Sequence, residues 1–335
     1  MRSTVLTLLV LLLLPGCTLC WPRGGSMMRC QEPDDDDATS DDDDSGDDDD
    51  STGDDDDSGD DDDSGDDDDD DSTNRPSCTP LDVVPVVQGT ATWNTICVPA
   101  GDFMMGSEKA RTDDDERPVH QVIFEHSFLL GQTEITQGFF EAVAPGTDPS
   151  NCDADRCAGD NRPVQNINWR EAIDFANALS VAQGLTPVYT WVSSDWPDWD
   201  QDADGWRLPT ESEWEYAARG GEQHVYSGSN DWEDVAYCDE WSDDGPLPVG
   251  LLDDNAWGFV DMTGNVQEWA WDTRDDYPEG PVTNPTGGPP TNSFRIARGG
   301  FFYGPPTACR NANRGYDFPT SRDFGRGIRL ARTMR

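Results

Sequence analysis

GWRLPTESEWEYAARGG, residues 205–221, is the stretch that sets the fold class of this chain. Thr210 is an N-cap type, and Glu213 three residues later completes a capping box. Gly220 and Gly221 stop the helix after Arg219, so the spacing predicts nine helical residues from Glu211 to Arg219. Two more helices read the same way. Thr136 caps a short one through Val143, and Trp169 to Gln183 places Trp169, Ala172, Ile173, Ala176 and Leu179 on one face before Gly184 ends it. Strand patterning is confined to VHQVIFEHSFLL (residues 119–130) and FRIARGG (residues 294–300). The rest is loop, rich in Gly, Pro and Trp. That balance describes an α+β domain with little regular secondary structure, held by buried side-chain bonds and staples rather than by long ladders.

Working outward, three segments separate by composition. Residues 1–17 carry one Arg ahead of an apolar run from Val5 to Leu14, too short to span a bilayer and right for a secretory signal. The run ends in Leu14-Pro15-Gly16-Cys17, which resembles a bacterial lipobox with Cys17 as the acylated residue; an ordinary cleaved signal is the alternative. Residues 18–75 contain six blocks of Asp, 26 in all, separated by small residues. Such a tract repels itself and reads as an extended, solvated linker. Residues 76–335 form the globular head. Together these describe an exported protein, held at the membrane by a lipid anchor on the outer membrane or cell surface, or else secreted or periplasmic. Removing the 26 Asp charges from the formal −47 leaves −21, so the head is acidic too. Nucleic acid is excluded as a partner, because phosphate binding needs a basic face.

Of nine cysteines, six fall in the head: Cys78, Cys97, Cys152, Cys157, Cys238 and Cys309. An even number in an oxidising compartment reads as disulfides. Cys152 and Cys157 can close a small loop; Cys78 with Cys97 and Cys238 with Cys309 are the simplest remaining pairs, although connectivity does not follow from sequence. His120, His126 and His224 are scattered and read as structural. Asp200, Asp202, Asp204, Gly205 and Glu211 match the EF-hand spacing, but the preceding PVYTWVSSDWPDWD (residues 187–200) is not a helix and Pro209 lies inside the loop. Trp191, Trp196 and Trp199 in that segment are read mainly as core, with a ligand surface as the alternative.

Six ordered blocks carry a family resemblance: GDFMMGSE, ERPVHQVIFEHSFLLGQTEIT, NRPVQNINWREAIDFANALS, GWRLPTESEWEYAARGG, NAWGFVDMTGNVQEW, and RIARGGF with CRNANR and RGIRLAR. Together they resemble the formylglycine-generating enzyme (sulfatase-modifying factor) family over about residues 90–333. The resemblance implies a C-type-lectin-like fold. It implies oxidation of a sulfatase cysteine with O2 at two thiolates that hold Cu(I), a soft ion. The family pattern places a serine where this chain has Phe301, the first cysteine at Gly304 and a tryptophan at Gln267. Only Cys309 falls on a copper-ligand position, and counting back from Asn313-Arg314 moves it off. The reading that follows is a binding or display module that has lost the copper pair, for an exported protein or a glycan. A formylglycine-type oxidase using Cys309 and a structural envelope lipoprotein are the alternatives. The resemblance further implies a calcium ion held by the carbonyls of Asp261, Gly264 and Val266 and the side chain of Glu268, hard oxygen ligands of the kind calcium takes.

Overall fold

The computed structural model describes residues 77–334, apart from 109–112, 152–155, 194–195, 239–244 and 288–293. Cys17, the Asp-rich tract and Cys152 lie outside the described residues. The head begins with a hairpin, β1 (Val83–Gln88) against β2 (Ala91–Val98). β5 (Phe128–Gly131) pairs antiparallel with β2, and β13 (Ala331–Thr333) closes that sheet on the other side. The first and last strands of the domain therefore lie in one sheet.

The run VHQVIFEHSFLL reads as one extended segment, but its strands serve two sheets. β4 (His120–Phe124) pairs with β3 (Gly101–Met105) and β9 (Val282–Thr283), and residues 125–127 turn the chain into β5. The third sheet runs β11 (Gly315–Asp317), β10 (Arg295–Arg298), β8 (Gln267–Thr273) and β12 (Arg326–Gly327). All seven residues of β8 are buried, so it reads as a continuous run rather than an alternation. β6 (Tyr189–Trp191) and β7 (Pro197–Trp199) form a separate hairpin.

α1 (Gln137–Val143) starts on the Thr136 side chain as expected. α2 (Trp169–Ala182) has a capping box that the sequence reading passed over, Asn168 with Glu171, which contributes about 1 kcal/mol. α3 (Glu211–Arg219) has the bounds and the Thr210–Glu213 box that its sequence predicts, and Gly220 adopts the left-handed cap. A short turn of helix, α4 (Trp232–Val235), completes the set.

Every residue of α3 is buried, three glutamates included, and each glutamate meets its own guanidinium. Glu211 accepts from Arg314 at 2.7 and 2.9 Å. Glu213 accepts from Arg207 twice at 2.6 Å. Glu215 accepts from Arg219 at 2.9 and 2.6 Å and from Arg298. Burial by itself pushes Glu215 up, but Arg219 and Arg298 outweigh it and hold the carboxyl below its ordinary range. The Trp-rich hairpin is partly buried and packs against the core: Trp196 tilts and Trp199 stands edge-on against Trp271, and Arg295 lies 4.0 Å from the Trp196 ring and 3.9 Å from the Trp169 ring. The EF-hand spacing makes no ion loop here. Glu211 belongs to Arg314, while Asp204 accepts from Thr186 N–H at 2.9 Å and Asp200 from Asp202 N–H at 3.0 Å.

Candidate functional site

Two tight turns, 261–265 and 299–300, meet under a disulfide. Cys238 is bonded to Cys309 with their Cα atoms 6.7 Å apart. Gly264 (φ +86°) lies beneath the first sulfur, where a Cβ would overlap the Tyr237 carbonyl and come within 2.6 Å of Cys238 Sγ. Gly300 (φ +73°) lies beneath the second, where a Cβ would overlap Cys309 Sγ and come within 2.8 Å of the Ala308 carbonyl. The turns are themselves joined, Gly264 N–H donating to Gly299 O at 2.7 Å. Both glycines are therefore required by close approach as well as by backbone conformation. A second disulfide joins Cys78 to Cys97 across the first hairpin, and Cys157 is also disulfide-bonded.

Around Gly304 the chain is aromatic. A Cβ there would sit 3.0 Å from the Phe301 ring. Phe301 packs on Tyr303 at 4.3 Å, and Tyr303 stacks on Phe324 at 4.8 Å. Tyr303 O–H donates to Asp323, which also caps Gly325 N–H at 2.7 Å. A second group, Phe294, Tyr316 and Phe318, packs with centroids 4.5–5.3 Å apart, under the Arg274 guanidinium. Asp317 pairs with Arg326, and Arg326 donates to Gln267 Oε1 at 3.1 Å, so one polar chain ties β11 to β8 and β12. Tyr316, Phe318 and Phe324 are 42, 48 and 53 % exposed, three large aromatic faces within nine residues.

Beneath the 261–265 turn lies a buried charged cluster of Glu134, Asp261, Glu268 and Arg329. Glu268 is fully engaged: Arg329 donates to both its oxygens at 2.8–3.0 Å, and Trp214 Nε1 donates at 2.6 Å. Glu134 is 0 % exposed; Asn265 Nδ2 donates to its Oε1 at 3.1 Å, and its Oε2 has no partner. Asp261 Oδ2 accepts from Gly250 N–H at 2.6 Å. Burial first, then the facing Asp261 carboxylate, raise Glu134 well above the ordinary carboxylate range, and burial raises Asp261 as well.

Residues 83–334 match the sulfatase-modifying factor enzyme 1-like domain. The chain belongs to that family. Among its relatives, "Chaperone protein LppX" of Paenibacillus barcinonensis is 34% identical over 210 residues, 52% of this chain and 68% of that protein. The formylglycine-generating enzyme of Mycobacterium tuberculosis is 29% identical over 286 residues, 68% and 92% of the two chains. In solved structures, Treponema denticola variable protein 1 superposes with a TM-score of 0.68 at 30% identity, covering 76% of this chain and 99% of that one.

Set against the family pattern, this sulfatase-modifying factor-like domain departs at three of its four chemical positions, Phe301, Gly304 and Gln267, and the fourth, Cys309, lies in a disulfide. Gly304 offers no ligand, and the Phe301 ring covers it. The Cys309 sulfur is bonded to Cys238 and is not a thiolate in this form. Gln267 is held by Arg326. The residues present do not fit a two-thiolate copper site. The Glu268 side chain, expected to hold calcium, accepts from Arg329 and Trp214. Among the described residues, no group of three or more His, Cys, Asp or Glu side chains is arranged as a metal centre by itself. Glu134 and the three exposed aromatics were missed in the sequence. Glu134 could have been found as the one acidic residue in FLLGQTEIT, an otherwise uncharged run.

A separate cleft of about 460 Å³ opens at the N-terminus of α3, lined by Glu211, Asp272, Tyr277, His120 and Arg314 among others. Asp272 accepts from Glu211 N–H at 2.6 Å, and burial followed by the Glu211 charge pushes it up to about 7.

Proposed function

We propose that this chain is a ligand-binding member of the family that works without the copper pair, exported and displayed on its acidic linker. One observation carries the reading. The sulfur that would serve copper is tied to Cys238, and the chain that follows Cys309 presents Tyr316, Phe318 and Phe324 to solvent. Large exposed aromatics this close together in sequence mark a recognition surface, because flat rings bury much area at small entropic cost. The ligand is an exported polypeptide with an accessible apolar or aromatic segment. The similar Paenibacillus barcinonensis protein, named a chaperone, supports that class of partner. The acidic tract gives reach and solubility, and the Cys17 anchor holds the assembly at the membrane. No helix among the described residues is long and apolar enough to cross one.

The test compares the purified chain with a triple variant, Tyr316→Ser, Phe318→Ser and Phe324→Ser, for binding to a denatured secreted protein. The wild type binds and the variant loses at least tenfold in affinity with its thermal melt retained. Equal binding by both removes the aromatic face from the account. Glycan binding lost in the same variant would move the ligand class to sugars. Formation of formylglycine in a Cys-x-Pro-x-Arg peptide by the wild type would refute the reading.

A further inference from the structure

One buried carboxylate of α3 answers two guanidiniums. Glu215 accepts from Arg219 at 2.9 and 2.6 Å and from Arg298. The other carboxylate near Arg298, Glu211 at 3.6 Å, is paired with Arg314 at 2.7 Å. Three guanidiniums thus share two carboxylates, and one positive charge is left without a carboxylate of its own in direct contact. At Arg219 this surplus meets a cavity. The residue is 8 % exposed and forms part of the wall of a hollow of about 540 Å³. Its Nε and Nη2 are spent on Glu215 and on the Gly106 carbonyl at 2.9 Å, and Nη1 meets no acceptor among the described residues. Asn311 lies in the same wall, 1 % exposed, with Nδ2 donating to the His224 carbonyl at 3.3 Å and no donor for its Oδ1. Two built-in polar groups therefore lack partners at one hollow.

We propose that this hollow binds a small organic acid, with its carboxylate on Arg219 Nη1, a donor group on Asn311 Oδ1 and its apolar body against Met104, Val119 and Val225. A charge-assisted bond to a guanidinium withdrawn from water is among the stronger polar contacts. Apolar walls with a few convergent polar groups are the usual make-up of a small-molecule site. The other charges in the wall do not compete. Arg310 is held by Glu116 at 2.8 and 2.6 Å, and Glu108 is exposed, where water and salt screen it. The C-terminal end of α3 opposes an anion only weakly, because its carbonyls are taken: Asn255 Nδ2 donates to Ala217 O at 2.8 Å and Ala218 O at 3.2 Å, and Gly220 N–H to Tyr216 O at 3.2 Å. Neither Phe301, Gly304, Gln267 nor Cys309 lines the hollow, so it is separate from the altered copper position. The exposed rings of Tyr316, Phe318 and Phe324 play no part in it either.

The experiment is ligand-observed NMR of the full chain with isocaproate, hydroxyisocaproate and phenylpropionate, beside isocaproamide and inorganic phosphate. The wild type is expected to bind at least one of the three acids saturably, and to bind isocaproamide and phosphate at least tenfold more weakly. Arg219→Lys keeps a charge beside Glu215 but loses the guanidinium fork, and should weaken the bound acid at least tenfold. Met104→Glu, at a position 45 % exposed, sets a like charge against the acid and should weaken it severalfold with the melt unmoved. It decides the matter should R219K fail to fold. The chain carrying Tyr316→Ser, Phe318→Ser and Phe324→Ser should bind the acids like the wild type. No binding of any acid, equal binding of isocaproamide or phosphate, or full binding by either cavity variant overturns the proposal. Loss of acid binding in the aromatic variant overturns it too, by moving the ligand to that face.

Discussion

Glu215→Ala removes the carboxylate at the centre of the α3 network and leaves its partners in place. Glu215 is 0 % exposed and accepts from Arg219 at 2.9 and 2.6 Å, from Gly106 N–H at 3.0 Å and from Arg298. Arg298 is also fully buried. Its other partners are the neutral carbonyls of Asn311, Ala312 and Asn313, with Glu211 at 3.6 Å and already paired to Arg314. The variant therefore strands a guanidinium in the core. Breaking a buried pair in this way costs about 3–5 kcal/mol, a large share of the roughly 5–15 kcal/mol that holds a domain folded. At about 2–4 °C per kcal/mol for a domain of this size, the melting temperature should fall by roughly 6–20 °C. The assay is a near-ultraviolet circular dichroism melt under non-reducing conditions, beside Glu215→Gln, which keeps part of the hydrogen bonding and should fall less. Asp114→Ala serves as control. It breaks the exposed Asp114–Arg117 pair and should leave the melt unmoved. An E215A chain that melts with the control would refute the reasoning, since it would mean that Arg298 is satisfied without its carboxylate.

Two further predictions concern the same core. Asp272 is raised in the fold to about 7, so its neutral form is favoured there, and the stability it contributes is full below pH 4 and lost as pH rises through 7. At about 1.4 kcal/mol for each pH unit crossed, the loss reaches a few kcal/mol. Asp272→Asn should therefore gain on the wild type between pH 4 and 7 in paired thermal melts, and a constant difference across that range would contradict the assignment. Gly264→Ala places a methyl group against the Tyr237 carbonyl and Cys238 Sγ at a positive φ. It should lower the melt by more than the 1–2 kcal/mol typical of left-handed strain alone, whereas alanine at Gly184, with open space around its Cβ, should show only the strain.

Much of the architecture is local and so was legible in the chain. The α3 bounds follow from Thr210, Glu213 and Gly220, all within eleven residues of one another, and the α2 stripe follows from helical spacing. What was not legible is long-range. The run from Val119 to Leu130 reads as one strand because nothing in its alternation shows that β4 and β5 pair in different sheets. β8 buries every side chain, polar ones included, because Glu268 meets Arg329 and Gln267 meets Arg326 across dozens of residues. Those partners are invisible to periodicity. The same reason hid Glu134, an acidic residue beside a turn in sequence that only the fold brings against Asp261 in the interior. The aromatic face was missed because Tyr316, Phe318 and Phe324 look like ordinary loop hydrophobics until their exposure is known. Trp196 and Trp199, read mainly as core from the sequence, do pack on Trp271, with Arg295 against Trp196.

The state of Cys309 tests the account most directly. Non-reducing peptide mass spectrometry of the purified chain should recover Cys309 linked to Cys238, with no free thiol at either position and no uptake of Cu(I). In the loop-entropy picture, a bridge across 71 residues contributes about 4 kcal/mol, so reduction should also lower the melt. A free Cys309 that binds Cu(I) and yields formylglycine in a target peptide would contradict the account and return this surface to catalysis.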